Sequence, residues 1–416
     1  MQFHKAINLS VKNNNISEMR KKIMILGASR YYSMSIESVK RAGYFVIAVD
    51  KNPEADAFKI SDAYVVCDTI DKDGVLKAAI EHKIDGIVSV NDYGVPTAAY
   101  VAKHMKLPGI SEEAAFLSTD KEAMRAKWIK EGVPCPLVEK GTSLSEVSSA
   151  IKKVGFPCVL KPAHGIGGGS RGVIVVHNEE EIANAVEHAQ RYYENKELLI
   201  ESFIQSEFEH SAECLVYGGK VYVLAVSDKV KIPLPYRVDT DVLYPSLVTG
   251  ERLARLKEVV SQSVLSLGID CGAAHVELAT TKDGFCLFEL GARCGGGGTP
   301  EPICTHVSGI NQFLEQVKIL VGDKDINLFP KSENPCNYHF IILKPGTIKS
   351  IRADFESIRK NENVLDADLI AKAGQVINDV STGPDRAGFI ITKGKTIQEA
   401  RETAKSMERF VTVDFE

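Results

Sequence analysis

CVLKPAHGIGGGSRGVIVV, residues 158–176, decides the fold. An apolar run closes on Lys161-Pro162. A glycine-rich loop follows, centred on Gly167, Gly168, Gly169 and Ser170, and a second apolar run starts at Val173. Strand, loop and strand make a hairpin flap, not a loop that caps a helix. Glycines let backbone N–H groups turn toward an anion with no Cβ in the way. Lys161, at the end of the first strand, adds a fixed positive charge. The Walker A pattern GxxxxGK[ST] is absent, so this is a different phosphate device. Lys-Pro before the loop and Ser170-Arg171-Gly172 after it favour a phosphate-covering flap over a hairpin without a ligand.

Upstream, Lys22–Leu26 is a short apolar run ending at Gly27-Ala28-Ser29. An amphipathic segment to Gly43 and a second run, Tyr44 to Val49, complete a βαβ unit. Ala63–Cys67, a helix over 72–82 and a strand over 86–90 extend it, so residues 21–115 are expected to form a doubly wound α/β domain. Its glycine turn invites a nicotinamide site with Asp50 on the ribose. The second and third glycines of that fingerprint are missing, which makes a scaffold the better expectation. Asp120 caps a helix over 121–131, and Ser143 to Val154 is a further helix.

Downstream, GAAHVELAT (272–280) and FCLFEL (285–290) are strand-like. A three-residue loop, 282–284, with Gly284 at its left-handed position, sets Glu277 opposite Glu289. Opposed like charges destabilise a ladder, so the pair implies a cation, and two carboxylates with open positions suit Mg²⁺. A second glycine loop, 294–300, offers backbone amides to a carboxylate or acyl phosphate.

The composition limits the alternatives. In 416 residues, 50 basic and 55 acidic side chains give a net charge of −5, which argues against nucleic-acid binding. No apolar run approaches the ~18–20 residues of a membrane span. Nine scattered cysteines without a CxxC pair, and no signal peptide, fit a reducing cytoplasm. The first 20 residues read as a flexible polar tail, with Met19 a second plausible start.

The 158–176 segment resembles the ATP-grasp superfamily, in its amino-acid ligase-like, carboxylate–amine ligase branch. That resemblance implies an α/β and α+β multidomain protein with an ATP-grasp fold. A pre-ATP-grasp domain would span 21–115, a lid subdomain 116–202, a C-terminal subdomain with the metal site 203–335, and a closing α+β subdomain 336–416. It places Lys121 and Lys161 on the nucleotide phosphates with Gly167, Gly168, Gly169 and Ser170. It places Glu201 and the backbone at Ile204 on adenine, Glu209 on the ribose and Lys229 on phosphate. Glu277 and Glu289 would hold Mg²⁺, with Mn²⁺ as a substitute, and Arg293 would meet the transferred phosphoryl group. Many relatives carry an Asn two residues after the second acid; here Gly291 stands there. Arg386 resembles a substrate-carboxylate group.

The resemblance implies an ATP-dependent ligase joining a carboxylate to an amine through an acyl phosphate, with small-molecule partners and dimers common among relatives. A carboxylating or formyl-activating enzyme of the purine or biotin type is the alternative, then a nucleotide-binding module without catalysis.

Overall fold

The computed structural model describes residues 20–163, 169–192, 195–206 and 208–416. Gly167 and Gly168, expected in the phosphate loop, and the tail with Met19 lie outside the described residues.

The first sheet is parallel, with strand order Ala63–Val66, Phe45–Asp50, Lys22–Leu26, Gly86–Ser89. Its two central strands are apolar almost throughout, as strands covered by helices on both faces must be. Ile23, Ile25, Val46 and Ala48 face one core; Met24, Leu26, Ile47 and Val49 face the other. Helix Lys72–His82 starts on an Asp71 cap and stops at left-handed Lys83. Gly27 turns the first strand at φ +102°, and a Cβ there would come within 2.6 Å of Val90. Asp50 accepts the Ala28 and Asn52 N–H groups. Its carboxylate therefore ties down the turn, and the ribose expectation for Asp50 is replaced by a structural role.

The flap belongs to a four-stranded antiparallel sheet, ordered Val138–Gly141, Leu198–Ser202, Cys158–Pro162, Ile174–Val176. Helix Leu144–Val154 packs on it, opened by a capping box of Ser143 and Glu146.

An eight-stranded antiparallel sheet forms the floor. Its order is Gly284–Gly291, Gly272–Thr281, Phe208–Tyr217, Lys220–Lys231, Asp239–Tyr244, Cys336–Ile341, Gly388–Lys393, Val364–Leu369. It runs unbroken across the boundary expected at 335/336, because Asp239–Tyr244 pairs with Cys336–Ile341. Helix Lys121–Lys130 is anchored beneath it by Trp128, which is fully buried and donates its indole N–H to the Ser263 carbonyl. Three further strands, Val376–Ile377, Gly346–Ala353 and Val411–Phe415, make a small outer sheet.

The hairpin that carries the two acids differs from expectation in its turn. The loop has two residues, Lys282 and Asp283, and Gly284 already pairs with Thr281. That register alone would set Glu277 opposite Phe288 and turn Glu289 to the other face. A β-bulge between Glu277 and Leu278 adds one residue on the facing strand and restores Glu277 opposite Glu289.

Candidate active site

A cleft of about 560 Å³ lies between the flap sheet, the floor and the N-terminal domain. Lys121, Lys161, Gly169, Ser170, Glu201, Ile204, Glu209, Lys229, Glu277, Glu289, Arg293 and Arg386 all line it. Folding thus gathers every expected site residue that is described.

The acids and lysines interleave. Glu289 pairs with Lys121 at 3.1 Å, and Glu277 pairs with buried Lys229. Both acid side chains stay open to the cleft, 36% and 37% exposed, while Lys229 is 6% exposed. Burial pushes the Glu277 carboxyl up, but Lys229 and His275 outweigh it and hold the carboxyl well below the usual range. Burial pulls Lys229 down; Glu277 and Asp239 more than reverse this. His275 lies two residues before Glu277 on the same strand face and bonds Glu213 at 2.7 Å. Burial lowers its pKa, but Glu213 and then Glu277 raise it to about 9.

Glu201 departs from its expected place on the adenine amino group. One oxygen accepts from Arg125 at 2.6 and 3.1 Å and the other from Lys161 at 2.8 Å, so both are occupied by buried cations. Burial pulls Lys161 down, with Glu201 opposing it. Glu209 is not an open ribose acid either: its two oxygens pair with Arg237 and Lys231. Lys231 also pairs with Asp239.

Arg293 is held by a fork from the N-terminal domain, donating to both Asp92 oxygens at 2.8 and 2.7 Å. Asp92 also accounts for Gly291, because a Cβ at 291 would stand 2.8 Å from an Asp92 oxygen. A side chain at 291 would therefore have to displace the Asp92 carboxylate that holds Arg293. In the second glycine loop Gly295 N–H is already spent on Glu213, at 3.2 Å. Its amides are therefore less available to a substrate than expected.

The flap end is docked. Gly383 N–H donates to the Gly169 carbonyl at 2.6 Å, and left-handed Ser170 donates its hydroxyl to the Arg237 carbonyl at 2.9 Å.

Arg125, Asp92, Lys231, Arg237, Asp239 and His275 escaped the sequence reading. Weak signals exist for three of them. Arg125 follows Lys121 by one helical turn. Lys231 and His275 each stand two residues from an expected site residue and so share its strand face.

The carboxylate pair fits a hard divalent cation: two open oxygen donors face each other across one ladder, with lysines spaced for phosphate around them. Among the described residues no group of three or more His, Cys, Asp or Glu forms an all-protein metal cage. Among them, too, no helix is long and apolar enough to cross a membrane, and all nine cysteines are free thiols.

Comparison with known proteins follows the same lines. Residues 154–301 match the ATP-grasp domain family, and residues 339–416 match L-amino acid ligase C-terminal domain 2. An uncharacterized protein of Sinorhizobium fredii is 24% identical over 387 residues, covering 90% of this chain and 79% of that one. The carbamoyl phosphate synthase large chain of Gemmatimonas aurantiaca is 26% identical over 333 residues, 76% of this chain but only 30% of that protein. Among solved structures, an L-amino acid ligase from Bacillus licheniformis superposes with a TM-score of 0.81 at 21% identity, covering 95% of this chain and 99% of the other. A phosphoribosylglycinamide synthetase from Anaerococcus prevotii gives 0.74 at 20% identity, over 95% and 100%. At such identities the structural matches establish the ATP-grasp fold.

Proposed function

From its membership of the ATP-grasp ligases, with an L-amino acid ligase-type C-terminal domain, we propose that this chain joins a small carboxylate to an amine at the expense of ATP. The observation that carries this is the interleaved wall: Lys121 on Glu289 and Lys229 on Glu277, in a cleft closed by Lys161 and the flap. Lysines interleaved with open carboxylates suit a metal-bound triphosphate, because the acids can take the cation and the lysines the phosphate oxygens. Glu277 and Glu289 would hold Mg²⁺ or Mn²⁺, which would neutralise phosphate charge and polarise the transferred phosphoryl group.

Lys121, Lys161 and Lys229 bind phosphate oxygens. Glu201 positions Lys161, and the backbone at Ile204 meets the adenine edge. A substrate carboxylate oxygen attacks the γ-phosphorus in line, and the bond to the β-phosphate oxygen breaks, with ADP keeping the electron pair. Arg293, locked by Asp92, offsets the charge that develops. The amine nitrogen attacks the acyl carbon, the C–O bond to phosphate breaks, and the amine proton passes to solvent or phosphate. The docked flap excludes water that would hydrolyse the acyl phosphate. Small molecules are the partners, and a cytoplasmic site suits the free thiols.

The test is ADP release with ATP and Mg²⁺ across amino acids singly and in pairs, with bicarbonate as a separate well. Release only when carboxylate and amine are both present is expected. Release with bicarbonate alone would move the assignment to a carboxylating enzyme.

A further inference from the structure

Six cations of the cleft, Lys121, Lys161, Lys229, Lys231, Arg237 and Arg293, each pair with a carboxylate. Arg386 differs: among the described residues it makes no ion pair, and its buried Nε has no hydrogen-bond partner. Its guanidinium carbon lies 3.8 Å from the centroid of the Phe340 ring. A cation stacked this way keeps its N–H edge for an in-plane acceptor, and a carboxylate matches that fork. Arg386 lines the cleft together with Asp239 and Glu277, the carboxylate wall where phosphoryl transfer would occur.

The surroundings of Arg386 are aromatic. Phe340 packs on Tyr338 at 4.4 Å between centroids, Tyr338 on Phe389 at 5.6 Å, and Phe389 on Tyr31 at 6.3 Å. All four rings line the cleft. Tyr31 comes from the N-terminal domain and is 36% exposed, so the frame is open on that side. Rings packed edge to face or tilted accept a further ring at the same spacing.

We propose that the carboxylate substrate bears an aromatic ring, with its carboxylate on the Arg386 edge and its ring between Tyr31, Phe340 and Phe389. This rests on the ligase function proposed above and names its substrate class. An aliphatic or charged side chain would leave the frame unfilled or would desolvate a charge against it.

The test measures ADP release with ATP, Mg²⁺ and a fixed excess of one amine, while the carboxylate is varied through phenylalanine, tyrosine, leucine, alanine and glutamate. The expected result is a kcat/KM for phenylalanine or tyrosine about tenfold or more above that for alanine or glutamate. Phe340→Ala should narrow that ratio, and Arg386→Gln should raise the KM for phenylalanine while leaving the KM for ATP within about twofold. Turnover of alanine or glutamate as good as that of phenylalanine would overturn the aromatic assignment and leave the ligase function standing. A raised ATP KM in Arg386→Gln, with that for phenylalanine unmoved, would overturn it by moving Arg386 to the nucleotide. If no carboxylate releases ADP, the ligase function fails, and calorimetric titration of phenylalanine against alanine with MgADP present still decides whether the frame binds a ring.

Discussion

Arg125→Met tests how the two acids come to share a face. Arg125 is 2% exposed and donates four hydrogen bonds. Two reach Glu201; the others reach the Leu287 and Phe288 carbonyls at 3.1 and 3.0 Å. Those carbonyls border the β-bulge that turns Glu289 toward Glu277. Methionine is of similar length and apolar, so it leaves Glu201 with Lys161 alone and both carbonyls without their donor. Breaking a buried charge pair costs about 3–5 kcal/mol. Each orphaned buried carbonyl adds about 1–3 kcal/mol unless water reaches it. A loss of about 5 kcal/mol or more is therefore expected, together with a looser bulge and a displaced Glu289. The assays are urea unfolding and ADP release against Mg²⁺ concentration. The Mg²⁺ needed for half-maximal rate should rise about tenfold or more, since a misplaced second ligand weakens the metal site. Arg125→Lys should recover part of the stability through Glu201 but little of the Mg²⁺ response, because one ammonium cannot span both carbonyls. Unfolding within about 0.5 kcal/mol of wild type and an unchanged Mg²⁺ response would refute this account of the bulge.

Three further outcomes are expected. Lys161→Ala should weaken ATP binding by about tenfold or more, the worth of a charge-assisted bond, read by calorimetry with ADP; unchanged binding would remove Lys161 from the nucleotide site. Glu289→Gln should abolish Mg²⁺-dependent ADP release while the circular dichroism spectrum is kept, since the side chain is 37% exposed and, among the described residues, its ion pair is with Lys121; surviving metal dependence would show the acid pair misassigned. His339 bonds Asp241 at 2.8 Å and Glu408 at 3.2 Å, joining helix Ile397–Glu408 to the floor. Burial lowers its pKa, but Asp241 and Glu408 raise it to about 9. A raised folded pKa contributes stability that is whole below the unfolded value and is lost as pH rises through 9. The stability gap between wild type and His339→Gln, at most about 3 kcal/mol near pH 6, should therefore shrink between pH 6.5 and 9; a gap constant across that range would contradict the pairing.

Much of the molecule was legible along the chain. The parallel domain, the flap hairpin, the helix cap at Asp120, the helix that follows Ser143, and Glu277 opposite Glu289 were all read from residues close in sequence. The acid pair was placed correctly through a turn one residue too long, because the bulge that compensates leaves no mark in the apolar alternation of FCLFEL. The resemblance gave Glu201 and Glu209 ligand-facing roles; their ion pairs with Arg125 and Arg237, which come from other elements, leave no mark in the local sequence.

Periodicity, turn chemistry and capping act between residues a few positions apart, so one strand of text contains both partners and the interaction can be read from it. The closure of the site obeys no such local rule. Arg293 meets Asp92 across 201 positions, Arg125 meets Phe288 across 163, and Gly169 meets Gly383 through the docked flap. Those pairings exist because three sheets pack around one cleft and a buried charge is stabilised there by an opposite charge brought from another element. Which partner it finds depends on the packing geometry, so that part of the site was decided only when the chain closed.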